Sequence, residues 1–255
     1  MCFELDSVPP IPPISGGAPV RSEDVVLESA DGTRVAAFAA FPDDGARVGV
    51  VVLPDVRGLY RFYEELALRF AERGYAAVAF DYFGRTAGVE KRDDDFPYRD
   101  HVAQTTPEGI EQDVRAAVDY LRSPAGGCET VFAVGFCFGG RNAWLATAGD
   151  HGLAGAVGFY GSTGERDGRP GPTARAAELQ GPILALQAGD DANILPEHNA
   201  AFDAALTAAG VGHELVVYDG APHSFFDRRY EDYAEQSADA WERTLAFLER
   251  HTPPA

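Results

Sequence analysis

Cysteine is scarce in this chain: three in 255 residues, Cys2, Cys128 and Cys137. They form no Cys-x-x-Cys pair, and an odd count does not make a disulfide framework. Basic residues are also few, 21 Lys and Arg against 40 Asp and Glu, for a formal net charge of -19. Such a field repels phosphate backbones and anionic headgroups, so neither nucleic acid nor a membrane surface is an expected partner. The histidines and acids lack zinc-like spacing, and no Gly-x-Gly-x-x-Gly turn occurs, so no metal and no cofactor is expected. No stretch approaches the length of a membrane span. The first residues, Met-Cys-Phe-Glu-Leu-Asp, carry an acid where a secretory signal carries Lys or Arg, and prolines follow. A reducing, cytoplasmic setting is the resulting expectation. Internal repeats and interdomain linkers are absent too. Residues 1–255 therefore read as one domain, with 1–20 as an extended arm, Pro- and Gly-rich over Val8–Pro19.

What is present is an alternation of apolar runs and helical patterns. The strand candidates are Val25–Glu28, Val35–Phe41, Val48–Leu53, Ala76–Phe80, Thr130–Val134, Gly155–Phe159, Ile183–Gln187 and Glu214–Tyr218. Several are continuous apolar runs, as strands covered on both faces require. Helical patterns occupy Arg61–Arg73, Pro107–Arg122, Arg141–Ala148, Pro196–Ala209 and Tyr230–Arg250. Pro107 and Pro196 suit first-turn positions, and Gly74 and Gly210 suit helix ends. The charged stretch Gly84–Pro107 reads as a solvated loop. Strands without intervening helices, followed by β and α in alternation, predict an α/β fold. Its sheet is mostly parallel and eight-stranded, with an antiparallel start and helices on both faces. Ligands of such sheets bind beyond the carboxyl ends of the strands. The loops after Leu53, Phe80, Val134, Gln187 and Tyr218 are where chemistry is expected.

The loop after Val134 reads Gly135-Phe-Cys-Phe-Gly-Gly140. Gly-x-nucleophile-x-Gly is a nucleophile elbow. Its small flanking residues let strand and helix approach. The turn presents the Cys137 side chain at a helix N-terminus, whose partial positive charge suits an anionic nucleophile. The Phe138 N–H then faces a developing oxyanion. Without that context, Cys137 would be a buried inert thiol, the reading kept for Cys2 and Cys128. A cysteine nucleophile needs a base, and the base needs an orienting acid. Of six histidines, His223 lies just after a strand, in Gly220-Ala-Pro-His-Ser-Phe-Phe226. The acid belongs after Ile183–Gln187, where Asp190 and Asp191 both qualify.

These motifs, with Leu53-Pro-Asp-Val-Arg-Gly-Leu59 and Asp81-Tyr-Phe-Gly-Arg85, resemble the dienelactone hydrolase family of α/β-hydrolases. The resemblance runs from about Val25 to Phe247. A cysteine in the elbow is telling, because most α/β-hydrolases use serine there. The resemblance implies Asp191 as the triad acid, three positions before Ile194. It implies Val56 N–H as a second oxyanion donor and Arg85 as a holder of a substrate carboxylate, a bidentate task that suits guanidinium. The alternative for Arg85 is a surface ion pair with acids nearby. Two departures stand out. Asp55 replaces the glutamate that engages and activates the thiol in the family, one methylene shorter. Asp227 replaces an arginine four residues after the histidine, with Arg228 and Arg229 next to it.

The implied activity is cofactor-independent hydrolysis of a small-molecule ester or lactone by Cys137, His223 and Asp191 through a thioester, in a monomer or homodimer. A second reading keeps the fold and turns to small neutral esters or thioesters. A third, non-enzymatic, makes Cys137 a redox-sensing or ligand-binding thiol.

Overall fold

Unbroken apolar runs become the buried strands of this protein. The structure, a computed structural model, describes residues 8–11, 20–93, 95–227 and 229–254. Most of the expected N-terminal arm therefore lies outside the described residues. The strands are β1 (Val20–Glu28), β2 (Arg34–Pro42), β3 (Val48–Leu53), β4 (Ala76–Phe80), β5 (Thr130–Phe136), β6 (Ala156–Phe159), β7 (Ile183–Asp190) and β8 (His213–Pro222). The helices are α1 (Arg61–Glu72), α2 (Gly84–Ala87), α3 (Tyr98–Val102), α4 (Pro107–Arg122), α5 (Phe138–Ala146), α6 (Pro196–Ala209) and α7 (Ala234–His251). The strand order is β1-β2-β4-β3-β5-β6-β7-β8. The pairs β1/β2 and β2/β4 are antiparallel, whereas β3/β4, β5/β6, β6/β7 and β7/β8 are parallel.

The sequence reads as one domain, and the described residues gather into two compact units that divide between Val131 and Phe132. In the N-terminal unit, every residue of β4 and Val50 to Leu53 of β3 are buried. Burying a Val or Leu side chain contributes about 1.5–3 kcal/mol. α1 turns Phe62, Leu66 and Phe70 inward, a 3.6-residue spacing that gives one apolar face. α4 starts where the sequence signals it. The Thr106 hydroxyl accepts the Gly109 N–H at 3.0 Å, and Pro107 occupies the first turn.

In the C-terminal unit, β6 and the first six residues of β7 are fully buried. α6 ends on Gly210 in the left-handed conformation (φ 71°), which costs glycine no Cβ clash. An aromatic group backs the carboxyl ends of these strands. Phe136 stacks on Phe159 with ring centroids 4.5 Å apart, and Phe226 packs on Phe159 at 4.8 Å. Such pairs contribute about 0.5–1.5 kcal/mol each beyond their burial.

Candidate active site

The elbow is formed by β5 running into α5 with one residue between them. Cys137 is that residue, at φ 56° and ψ -111°. A side-chain-bearing residue held there stores about 1–3 kcal/mol of strain. Two hydrogen bonds impose it: the Cys137 N–H donates to Phe159 O at 2.9 Å, and the Cys137 carbonyl accepts Arg141 N–H at 3.2 Å. Glycine is required around it. A Cβ on Gly135 would collide with the Gly139 carbonyl, and one on Gly140 would sit 2.6 Å from Phe159 O. These close approaches explain why α5 begins at Phe138, earlier than the expected Arg141, through two residues of poor helix propensity. Cys137 and Phe138 are both only part-buried. Cys128, by contrast, is buried, and desolvation pushes its thiol up to about 11.

His223 follows β8 directly. Its loop is fixed from below by Phe225 and Phe226, both fully buried, and by the Ser237 hydroxyl donating to Phe225 O at 3.1 Å. The His223 Nδ1 and Asp191 Oδ2 lie 2.6 Å apart. Asp191 Oδ1 accepts the backbone N–H groups of Asn193 (2.8 Å) and Ile194 (3.3 Å). Both carboxylate oxygens thus have assigned tasks. Burial raises the Asp191 carboxyl, but the His223 hydrogen bond and charge with the two N–H donors outweigh it, and the net direction is down. Asp190 is exposed at the end of β7, so of the two aspartates it is Asp191 that meets the imidazole.

Tyr160 is a member of this group that the sequence reading passes over. It is fully buried with φ 37°. Its ring lies 4.9 Å from the His223 ring, and its hydroxyl donates to Asp227 Oδ2 at 3.0 Å. Asp227, in the position of the family arginine, is therefore buried under the histidine loop as a partner of Tyr160. The available signal was topological: Tyr160 follows β6, one more strand end on the edge where chemistry was expected. Arg229 is turned to Asp232 at 2.8 Å, and Arg228 lies outside the described residues.

The remaining expected residues belong to the N-terminal unit. Asp55 is buried after β3; its N–H donates to the Tyr63 hydroxyl (2.9 Å), and its Oδ1 accepts Arg57 N–H (2.8 Å). Val56 lies within that Asx turn. Arg57 places its guanidinium over Tyr60 at 4.9 Å. Arg85 contacts Asp113 with Nη1 at 2.8 Å and Asp31 with Nε at 2.8 Å. This is the ion-pair arrangement, with the guanidinium engaged by acids of its own unit. Asp113 is buried, which raises its carboxyl, while Arg85 and Ser29 oppose that rise. Arg85→Ala is expected to strand this carboxylate and cost about 3 kcal/mol, roughly 6–12 °C in Tm. Thermal unfolding checks it. An unchanged Tm with weakened affinity for an anionic ester would restore the carboxylate-holding role.

Among the described residues, no cluster of His, Cys, Asp and Glu could hold a metal ion. No helix of the described residues is long and apolar enough to cross a membrane.

The model of the dienelactone hydrolase family matches residues 35–252. The chain belongs to the dienelactone hydrolase family. A Saccharolobus solfataricus protein named "Putative carboxymethylenebutenolidase" is 30% identical over 268 residues, covering 89% of this chain and 98% of that one. A solved Klebsiella pneumoniae structure described as a "Putative Dienelactone Hydrolase" superposes with a TM-score of 0.80 at 27% identity, covering 91% of this chain and 99% of that one. The Pyrococcus horikoshii acylaminoacyl peptidase, at 16% identity and a TM-score of 0.73, shares the fold alone. The mostly parallel eight-stranded sheet is the α/β-hydrolase fold expected from the sequence. As a member of the dienelactone hydrolase family the protein is an enzyme, a hydrolase of the ester- and lactone-cleaving kind.

Proposed function

We propose that the protein hydrolyses a small ester or lactone by nucleophilic catalysis at Cys137, without metal or cofactor. The carrying observation is the His223–Asp191 pair at 2.6 Å, in the same unit as a cysteine held at positive φ. An ionised Asp191 accepts the Nδ1 proton and so sets the tautomer that leaves Nε2 as the proton acceptor. His223 takes the thiol proton as sulfur adds to the acyl carbon. The tetrahedral oxyanion receives the Phe138 N–H, which stands at the N-terminus of α5. Collapse expels the alkoxide, which takes the proton from His223, and a thioester remains on Cys137. Water, deprotonated by His223, then attacks the thioester. The acid is released and the thiol restored.

The thioester is the species to detect. Mixing the enzyme with excess 4-nitrophenyl ester and quenching in acid within the first turnovers is expected to add one acyl mass to the peptide bearing Cys137. Turnover with no adduct on that peptide, but with one on another side chain, would overturn the assignment.

A further inference from the structure

Arg141 is a buried cation that the reaction above does not use. It sits one turn into α5, and its guanidinium donates to the carbonyls of Ser162 (3.3 Å), Gly164 and Pro170 (3.2 Å). All three belong to the loop that follows β6. Among the described residues, no carboxylate forms an ion pair with it. Burial and the positive charges of Arg166 and Arg175 pull its pKa down to about 10, against the opposing effect of Asp167. Burying an arginine on three carbonyls secures the base of this loop from inside. The base is tight in other ways. A Cβ on Gly171 would collide with the Gly164 carbonyl, and the Thr173 N–H donates to Thr163 O at 3.0 Å.

The tip of the loop is a two-residue hairpin. Arg166 and Arg169 exchange backbone hydrogen bonds of 3.0 and 2.9 Å across Asp167 (φ 51°) and Gly168 (φ 72°). Positive φ at both central residues is the tight-turn geometry that Asp-Gly favours. The hairpin is therefore a built element. It carries the Arg166 guanidinium over the Phe138 ring, 5.9 Å from its centroid. Phe138 is the residue after Cys137. The Arg166 side chain is half-exposed, and among the described residues its ion pair is with the exposed neighbour Asp167 at 3.6 Å. In a chain of net charge -19, this is a local positive site beside the elbow. Arg85 is engaged by Asp31 and Asp113, and Asp227 stands where the family carries an arginine.

We propose that Arg166 is a specificity residue, an anion subsite on the β6–β7 hairpin that receives a carboxylate of the reacting molecule beside Cys137. Arg141 is its positioning residue. The inference rests on Cys137 as the reacting thiol, and the test separates the two. The first readout needs no turnover: the rates at which anionic iodoacetate and neutral iodoacetamide alkylate Cys137, followed by peptide mass. The second is the ratio of kcat/KM for 4-nitrophenyl hydrogen adipate to that for 4-nitrophenyl hexanoate. In Arg166→Gln both anionic-to-neutral ratios are expected to fall about tenfold, the loss of one charge-assisted contact, with the kinetic change in KM. Arg166→Lys is expected to recover part of each ratio. Raising the salt concentration should lower the wild-type ratios toward those of Arg166→Gln. Unchanged ratios in Arg166→Gln overturn the subsite. A shifted alkylation ratio in an enzyme that cleaves neither ester supports the subsite and overturns ester hydrolysis.

Discussion

Cys137→Ala is expected to lower kcat for an activated ester by about 10⁶-fold, since removing the nucleophile of a catalytic triad costs on that order. The variant should fold, because the side chain supplies none of the backbone hydrogen bonds that shape the elbow. Cys137→Ser should keep only weak activity, as a site arranged for a thiol deprotonates an alcohol poorly. Cys137→Gly makes a sharper companion. The residue holds φ 56°, a conformation that glycine adopts without strain. Relief of about 1–3 kcal/mol is offset by about 0.5–1 kcal/mol from the greater freedom of glycine in the unfolded chain. Cys137→Gly should therefore be inactive and more stable than wild type by about 1 kcal/mol. Denaturant unfolding together with ester assays checks both halves. An alanine variant with full activity would remove Cys137 from the chemistry. A glycine variant no more stable than alanine would show that the turn stores no strain.

Asp191→Asn is expected to lower kcat by about 10³–10⁴-fold with little change in geometry. The asparagine N–H₂ cannot accept the Nδ1 proton, and the imidazole adopts the other tautomer. The effect also has a pH signature in stability. The Asp191 carboxyl is lowered below its ordinary 3.8 in the folded protein. A lowered folded value means the unfolded chain binds the proton more tightly, so this group stabilises the fold above about pH 4. That contribution is lost as pH falls through the folded value. Wild type should thus lose more stability than Asp191→Asn between about pH 5 and pH 2, measured as the midpoint of urea unfolding. Parallel acid profiles for the two proteins would contradict the lowered carboxyl.

Much of the fold was legible because its signals are local. β3, β4, α4 and α6 occupy the residues read from the chain, since apolar runs, Thr106-Pro107, Pro196 and Gly210 mark their ends within a few residues. Long-range pairing moved other limits. β1 begins at Val20 and not Val25, because Arg21 to Asp24 pair with Ala39 to Phe41 and Phe38 of β2 despite their polarity. β7 and β8 run on past Gln187 and Tyr218, since Ala188 pairs with Tyr218 and Asp190 with Pro222. The charged stretch read as a loop includes the short helices α2 and α3. α7 starts at Ala234 after a run of turns from Tyr230.

The sequence by itself determined the elbow, the candidate histidine and a choice of two acids, because a glycine spacing and a position after a strand are properties of consecutive residues. Tertiary structure decided which aspartate meets His223, by burying Asp191 and exposing Asp190. It also decided what Arg85 binds, what lies under the histidine, and which arginine stands beside Phe138. Each of these depends on partners tens of residues apart in the chain. A charge or a ring carries no local mark of its partner until the strands are in register.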